Sequence, residues 1–317
     1  METNQHPIGS GFNEHSTARE VAGDIDLTGK QVVITGGYAG LGLETTRVLA
    51  ERGAEIIAGA RDMPKAKENL ATVPRVTLRE LDLSVPASID RFADEVLAST
   101  SAIDLLINNA GIMATPLTRD ARGYEMQFAI NHLGHFQLTN RLIPALEKRG
   151  ARVVSLSSAG HRFSAVDFDD PNFLIRPYDK WKAYGQSKTA NSLFAVELDA
   201  RMKDRGVRAF AVHPGRILST ELVRYISTED LIAAGIRRPD GSLDQSSTKT
   251  IEEGAATTVW CALSAQLDNL GGVYCADCDI APIVPDDSKS LTGVRRWAID
   301  KTAAERLWEL SERLLNA

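Results

Sequence analysis

The 317-residue sequence lacks most of the features that would indicate a secreted, membrane-bound or nucleic-acid-binding protein. Its three cysteines are too few to demand a disulfide framework. A formal net charge of −6 without any basic run gives no reason to expect nucleic acid. No stretch approaches the roughly 18 apolar residues that span a bilayer, and residues 1–24 lack the apolar core of a signal peptide. We therefore expect a cytoplasmic protein with no membrane partner.

Neither the cysteines nor the histidines predict a metal or redox centre. Cys275 and Cys278 have the spacing of a redox pair, but they lie in a predicted strand, 272–278, that would direct their thiols to opposite faces. We interpret them as structural residues. His132 and His135 lie three residues apart with no third ligand nearby in the sequence, so no zinc site is predicted.

Short apolar segments rich in β-branched residues alternate with helical segments along the chain. The predicted strands are 31–35, 54–60, 76–83, 103–108, 151–157, 207–212 and 272–278, and the predicted helices are 40–53, 86–98, 122–148, 179–204, 251–265 and 301–315. This alternation is typical of an α/β fold with a parallel sheet and helices on both faces. We predict one domain over 26–317, preceded by an arm, 1–25, in which Thr17 and Glu20 form a capping box.

A glycine-rich turn, T-G-G-Y-A-G-L-G over residues 35–42, joins the first predicted strand to the first long helix. Glycines allow the backbone to approach a pyrophosphate, and a helix N-terminus presents free N–H groups and the positive end of its dipole. The turn therefore predicts a phosphate-binding site. Its G-x-x-x-G-x-G spacing differs from the usual G-x-G-x-x-G dinucleotide fingerprint.

Tyr184 and Lys188 lie four residues apart, which places both side chains on one face of a helix. A neighbouring positive charge lowers the pKa of a phenol from its usual value near ~10. The pair would then be a general acid/base for an alcohol or carbonyl oxygen. Such a spacing also arises by chance on solvated helices, but the glycine turn favours the functional interpretation.

These motifs resemble the short-chain dehydrogenase/reductase family, whose fingerprint is T-G-x-x-x-G-x-G with a later Y-x-x-x-K. Further motifs follow in family order, namely Asp82-Leu83, Asn108-Asn109-Ala110-Gly111, Asn131, Ser157-Ser158 and His213-Pro214-Gly215. The resemblance implies a doubly wound, Rossmann-type sheet of about seven strands in the order 3-2-1-4-5-6-7. Within the family, these motifs look most like those of the retinol-dehydrogenase and WW-domain-oxidoreductase branch.

The resemblance also implies an NAD(P)-dependent oxidoreductase that interconverts an alcohol and a ketone or aldehyde. Tyr184 would exchange the proton, Lys188 would lower its pKa and bind the nicotinamide ribose, and Ser158 would hydrogen-bond the same substrate oxygen. Asn131 would hold a water that links Lys188 to solvent. The implied cofactor contacts are Gly36, Tyr38, Ala39, Gly40, Leu41, Gly42, Arg61, Asp82, Leu83, Asn109, Ala110, Gly111, Tyr184, Lys188, Pro214, Gly215, Ile217 and Ser219.

The end of the second predicted strand indicates which nicotinamide cofactor is preferred. An NAD enzyme places an acid there for the ribose 2′-hydroxyl, whereas this chain has Ala60 followed by Arg61. A guanidinium suits a 2′-phosphate, so we predict a preference for NADP(H). NAD(H) remains possible if Asp62 instead reaches the ribose.

Two long segments bear on the substrate. The stretch between Ser158 and Tyr184 carries the aromatic residues Phe163, Phe168, Phe173, Tyr178 and Trp181. These residues either anchor a surface insertion or form the wall of an apolar substrate site, and the sequence favours neither interpretation. A second segment, 216–250, occupies the position of a substrate loop that closes over the site. We predict a medium-sized, largely apolar substrate.

Two other functions remain open from the sequence alone. The chain could bind the cofactor without turnover, as a redox sensor or scaffold, although four intact catalytic positions argue against this. It could instead be a sugar-nucleotide epimerase or dehydratase, although only about 100 residues follow the sixth strand. Homo-oligomers are also possible.

Overall fold

A single eight-stranded sheet forms the centre of the computed structural model, which describes residues 4–220, 222, 226–233, 238, 240, 248–288, 290 and 292–316. The strands are β1 (Gln31–Thr35), β2 (Glu55–Ala60), β3 (Val76–Glu80), β4 (Leu105–Asn108), β5 (Arg152–Leu156), β6 (Arg208–His213), β7 (Val273–Ala276) and β8 (Asp279–Ile280). Their spatial order is β3-β2-β1-β4-β5-β6-β7-β8. The predicted order of the first seven strands is confirmed, and β8 adds a short antiparallel edge.

Helices cover both faces of this sheet. They are α1 (Ala18–Ala22), α2 (Gly40–Glu51), α3 (Met63–Asn69), α4 (Pro86–Ser99), α5 (Met126–Phe128), α6 (His135–Leu146), α7 (Lys180–Met202), α8 (Thr228–Ala233), α9 (Ile251–Leu263) and α10 (Lys301–Leu315). Successive residues of β1 show the layering, because Val33 packs in one apolar cluster with α4 and α6, whereas Val32 and Ile34 pack in another with α2 and α9. All three side chains are fully buried, as expected for a parallel strand covered on both faces.

The predicted helix 122–148 is interrupted, and this interruption shapes the site. A π-helical turn, Ala129–Gly134, separates α5 from α6. Gly134 presses against the backbone after β3, since an added Cβ would lie 2.6 Å from the Leu83 oxygen. Glu125 lies directly before α5, and its carboxylate accepts hydrogen bonds from backbone amides within that helix. Asn131 therefore lies in a widened turn, a distortion that is frequent at functional sites.

The expectation for Cys275 and Cys278 is wrong in one respect. Strand β7 ends at Ala276, and Asp277 and Cys278 have φ values of 52° and 59° in the turn that leads to β8. Strand alternation therefore stops before the second thiol, and both thiols lie in the same apolar cluster as Cys261. All three cysteines are buried and unbridged.

The N-terminal arm is attached to the edge of the sheet. The predicted capping box of Thr17 and Glu20 is present at the start of α1. Further upstream, the Gln5 amide accepts a hydrogen bond from Tyr274 N at 2.8 Å and donates to Tyr274 O and Ala281 O at 2.8 and 2.6 Å. One side chain thus satisfies three backbone groups where β7 and the segment after β8 meet.

Removal of this amide should destabilise the fold. We expect Gln5→Ala to lower the free energy of unfolding by about 1–3 kcal/mol, because buried backbone groups lose their partners. The measurement is urea denaturation, with the exposed Glu14→Ala as a control in the same arm. A loss no larger than that of the control would show that the Gln5 amide contributes nothing to stability.

Within the described ranges, no helix combines the length and the apolar character that a membrane crossing requires.

Candidate active site

A cavity of about 360 Å³ lies at the carboxyl ends of the strands, where the strand order reverses between β1 and β4. Open α/β sheets bind their ligands at this position. The glycine turn lines the cavity at one end, and Ser158, Tyr184 and Lys188 line it at the other. The structure therefore brings the predicted phosphate site and the predicted acid/base pair to one cleft.

The glycine turn has the geometry of an anion cradle. Gly36 and Gly40 adopt positive φ values of 66° and 51°. A Cβ on Gly42 would lie 2.3 Å from the Gly36 oxygen, so no larger residue fits there without a backbone shift. Ala39 provides no side-chain cap for α2, which leaves the first amides of the helix free for a phosphate. These residues fit a dinucleotide pyrophosphate.

The hydroxyl of Thr35 joins the glycine turn to the two neighbouring segments. Its oxygen accepts hydrogen bonds from the amides of Asn109 and Ala110, both at 3.0 Å. Because both lone pairs are used, its proton must be donated to His135 Nε2, which lies 2.8 Å away. The side chain of Asn109 also donates from Nδ2 to the backbone carbonyl of Thr35 at 2.8 Å.

His135 extends this chain of hydrogen bonds to Asn131. With Nε2 as the acceptor, His135 donates from Nδ1 to the Asn131 carbonyl at 3.0 Å. Burial lowers the pKa of His135 to about 4, so the neutral imidazole that this arrangement needs is the stable form. The Asn131 amide bonds the backbone of Ile112 through both of its atoms, and Nδ2 also donates to Ser187 Oγ at 2.9 Å. Asn131 is fully buried directly behind the cavity rather than in its wall.

Two glycines allow the segment after β5 to approach the tyrosine closely. This segment is a 3₁₀ helix, Ala159–Phe163, capped by Ser158. A Cβ on Gly160 would lie 2.6 Å from the Tyr184 ring, and a Cβ on Gly185 would lie 2.8 Å from the Gly160 oxygen. The close packing places the Ser158 hydroxyl beside the Tyr184 ring, since the added Cβ on Gly160 would also lie 3.4 Å from Ser158 Oγ.

Ser157 and Ser158 both line the cavity, but their hydroxyl groups have different partners. Ser158 Oγ accepts from Gly160 N at 3.0 Å and remains next to Tyr184. Ser157 Oγ donates to the Lys188 carbonyl at 2.8 Å and accepts from Ser192 Oγ at 2.8 Å. The Ser157 hydroxyl is therefore committed to holding β5 on α7, and Ser158 is the serine with access to a ligand.

Comparison with known proteins agrees with this geometry. A sequence model of the family described as short chain dehydrogenase matches residues 30–231. A probable oxidoreductase of Streptomyces lividans is 43% identical over 302 residues, which cover 92% of this chain and all of the relative. Human retinol dehydrogenase 12 is 39% identical, with 92% of this chain and 88% of that protein covered. The crystal structure of an uncharacterized protein from Mycobacterium paratuberculosis superposes with a TM-score of 0.72 at 36% identity, covering 94% of this chain and 97% of that one.

The chain belongs to the short-chain dehydrogenase/reductase family. It is accordingly a nicotinamide-dependent oxidoreductase that acts on a CH–OH group or a carbonyl. None of the three relatives is named as an epimerase, a dehydratase or a redox sensor.

The electrostatics of the short-chain dehydrogenase/reductase site differ from the sequence expectation. Lys188 Nζ donates to the Leu156 carbonyl at 2.8 Å and lies 5.7 Å from the centroid of the Tyr184 ring. Burial lowers the pKa of Lys188 to about 7. Burial also raises the pKa of Tyr184 to about 12, although the Ser158 hydrogen bond opposes the shift. The predicted lowering of the phenol pKa is thus not found, because the desolvation of the buried phenol outweighs the opposing interaction with Ser158.

The aromatic residues between Ser158 and Tyr184 fall into two groups, one that lines the cavity and one that packs away from it. Phe163 and Trp181 line the cavity, with ring centroids 5.8 Å apart. Phe173 and Tyr178 pack edge to face away from the cavity, and Phe168 packs beside α10 beneath Arg306. Two of the five therefore line the cavity, and three pack away from it within the insertion.

Most of the predicted cofactor residues line the cavity. They are Gly36, Tyr38, Ala39, Gly40, Leu41, Gly42, Arg61, Asp82, Leu83, Asn109, Ala110, Gly111, Tyr184, Lys188, Pro214, Gly215 and Ile217. Ser219 is exposed and lies outside the lining. Lining residues that the sequence analysis did not assign include Ile112, Met113, Gly160, Arg162 and Arg216. Gly160 follows the serine pair by two residues, and that glycine was a signal, whereas Arg162 and Arg216 belong to no motif of their own.

The predicted substrate loop, 216–250, falls partly outside the described residues, including most of its 239–247 portion. The base of the loop is closed by a hydrogen bond of 2.8 Å from Lys249 N to the Arg216 carbonyl. Within the loop, Asp230 of α8 accepts from Lys180 Nζ at 2.6 Å, which ties α8 to the start of α7.

The burial of Lys188 predicts how the free energy of unfolding depends on pH. In the folded cofactor-free protein the pKa of Lys188 is about 7, below its ordinary value of 10.5. The unfolded chain therefore binds more protons between these values, and the cost of burying the charge falls as pH rises through this window. We expect Lys188→Met to raise the free energy of unfolding by about 1–3 kcal/mol near pH 7, with a smaller gain near pH 10.

Thermal and urea denaturation of the two proteins without cofactor at both pH values would measure this difference. Lys67→Met, an exposed change in α3, is the matched control. A Lys188→Met protein that is less stable than the original at neutral pH would show that the ammonium is not penalised by burial.

Proposed function

We propose that this enzyme is an NADP(H)-preferring reductase or dehydrogenase of medium-sized, largely apolar ketones, aldehydes and secondary alcohols. The observation that carries the proposal is the convergence of the Tyr184 phenol and the Ser158 hydroxyl on one wall of the cavity, with Lys188 behind them. Two hydroxyl groups in contact can both reach a single substrate oxygen, as protonation of a carbonyl requires.

Each of the four proposed catalytic residues would have a separate role in the reaction. The nicotinamide supplies or accepts the hydride, and the protein provides orientation and proton transfer. Ser158 would hydrogen-bond the substrate oxygen and stabilise its developing charge. Tyr184 would donate the proton during reduction, and its raised pKa keeps it protonated at neutral pH for this step.

Lys188 and Asn131 would act behind the tyrosine. Lys188 would hold the nicotinamide ribose and, when charged, favour the phenolate that the oxidation direction requires. Asn131 Oδ1 and Lys188 Nζ both approach Gly111, at 3.1 and 3.5 Å from the position of an added Cβ. This proximity supports a role for Asn131 in relaying a proton from Lys188 through water.

Replacement of the tyrosine tests the reaction class. Tyr184→Phe keeps the buried ring and removes the transferable proton, so we expect turnover to fall by at least about 10²-fold while the thermal midpoint changes little. The assay is NADPH consumption with a panel of ketones and aldehydes. Tyr124→Phe is a control, because its hydroxyl bonds the Leu314 carbonyl outside the cavity. Near-full turnover by Tyr184→Phe would exclude Tyr184 as the acid/base.

Two features at the end of β2 support a preference for NADP(H). Arg61 is exposed at the rim of the cavity, directly after the buried Ala60. The neighbouring carboxylate is occupied elsewhere, because Asp62 Oδ1 accepts from Lys65 N at 3.1 Å and caps α3. A guanidinium without a facing acid suits a 2′-phosphate.

The preference can be measured as dissociation constants for the two reduced cofactors. We expect Arg61→Ala to weaken NADPH binding by about ten- to a hundredfold, the effect of losing one charge-assisted hydrogen bond, and to change NADH binding little. Lys67→Ala, which removes a positive charge from α3, controls for general electrostatics. Tighter binding of NADH by the unaltered protein would assign the ribose to Asp62 instead.

The proposed substrate class rests on the remaining wall of the cavity. Its apolar members include Met113, Phe163, Trp181, Leu222 and Ile226. An apolar wall favours substrates by the area that they remove from water, roughly 25 cal/mol per Å². The similarity to a protein named retinol dehydrogenase 12 is compatible with a substrate of this character.

A further inference from the structure

Two arginines line the catalytic end of the cavity, beyond the residues that the mechanism uses. Arg162 belongs to the 3₁₀ helix that starts after Ser158, and Arg216 follows Gly215 directly. The close contact of Gly160 with the Tyr184 ring fixes this 3₁₀ helix beside the acid/base. Arg162 therefore lies on the substrate side of the site, apart from Arg61 and the glycine turn.

The guanidinium of Arg162 has no anionic partner among the residues that the structure describes. Its only recorded contact there is with the Phe163 ring, whose centroid is 5.1 Å from Cζ. Among the described residues, no acceptor faces the N–H donors of this fork. Burial is the main cause that lowers the pKa of Arg162, and the charges of Arg216 and Arg295 lower it further. A half-buried cation close to two like charges is stabilised when an anion joins it.

The surrounding acids do not neutralise this region. Asp82 is the one carboxylate in the described lining of the cavity, and its Oδ1 accepts from Ser84 beyond the end of β3. Asp277 accepts from Lys249 Nζ at 2.6 Å. Arg295 adds a further positive charge, since it is only 1% exposed and its guanidinium donates to a carbonyl, that of Ser288. The catalytic end is thus positive in a protein whose net charge is −6.

We propose that Arg162, with Arg216 beside it, forms a subsite for a carboxylate, and that the substrate is an apolar ketone or alcohol that carries a carboxylate distant from its reacting carbon. The inference rests on the proposed function for the reacting carbonyl. The apolar wall of Phe163 and Trp181 receives the body of such a molecule. A planar guanidinium fork binds a carboxylate through two parallel hydrogen bonds.

Binding of unreactive ligands tests the subsite without any turnover. Isothermal titration calorimetry compares phenylbutanoate with phenylbutanol, two ligands that share their apolar body. We expect the unaltered protein to bind the acid about ten- to a hundredfold more tightly than the alcohol, as for a charge-assisted hydrogen bond, and Arg162→Gln to abolish the preference. Arg91→Gln, an exposed change in α4, should retain it. Equal affinities for the two ligands, or no measurable binding of the acid, would overturn the subsite.

Turnover measurements distinguish an error in the carboxylate subsite from an error in the proposed ketone reduction. Benzoylbutyrate and its methyl ester offer the same ketone with and without a negative charge. We expect the ratio of kcat/KM for acid over ester to fall about ten- to a hundredfold in Arg162→Gln, mainly through KM, and Arg162→Lys to retain part of it. Similar rates for acid and ester in the unaltered protein would refute the subsite and leave the function intact. Reduction of neither compound, together with Arg162-dependent acid binding, would keep the subsite and remove the proposed ketone reduction.

Discussion

The hydroxyl of Thr35 is the point on which both halves of the site depend. It lies at the end of β1, next to the reversal of strand order, and makes one hydrogen bond with each of its two lone pairs and its proton. A buried hydroxyl that is fully satisfied resists displacement, since any movement leaves a polar group unpaired. The glycine turn, the backbone after β4 and His135 consequently share one fixed reference.

His135 connects the hydroxyl of Thr35 to Asn131 through its two ring nitrogens. The π-helical turn Ala129–Gly134 sets Asn131 where its carbonyl accepts from His135 and its amide holds the backbone of Ile112. The chain of bonds requires a neutral imidazole, and burial supplies one by lowering the pKa of His135. The glycine turn and the region around Asn131 are thereby positioned by a single buried network.

The packing that brings the reacting groups together also explains their unusual titration. Gly160 and Gly185 allow the segment after β5 to lie directly on α7, and this contact excludes water from Tyr184 and Lys188. Both groups then favour their neutral forms, which moves their pKa values in opposite directions, toward about 12 and about 7. A site of this kind is less stable than an apolar core would be, because its buried ionisable groups lose their hydration.

The sequence by itself determined the alternation of strands and helices and the helices on both faces, because apolar periodicity is contiguous in the chain. Its glycine, asparagine and tyrosine motifs carry the resemblance to the short-chain dehydrogenase/reductase family, and that resemblance implied the strand order and the place of the site at the reversal of strand order. The capping box of Thr17 and Glu20 was predictable because it too is contiguous in the chain.

Only the tertiary structure decided which of these residues face the cavity and in which protonation state. It interrupted the helix at Asn131, committed Asp62 to capping α3, turned Ser157 toward α7 and left Ser158 beside Tyr184. It also placed Arg162 among like charges. The physical reason is that desolvation, hydrogen-bond competition and charge–charge contact depend on groups that are distant in sequence and adjacent in space.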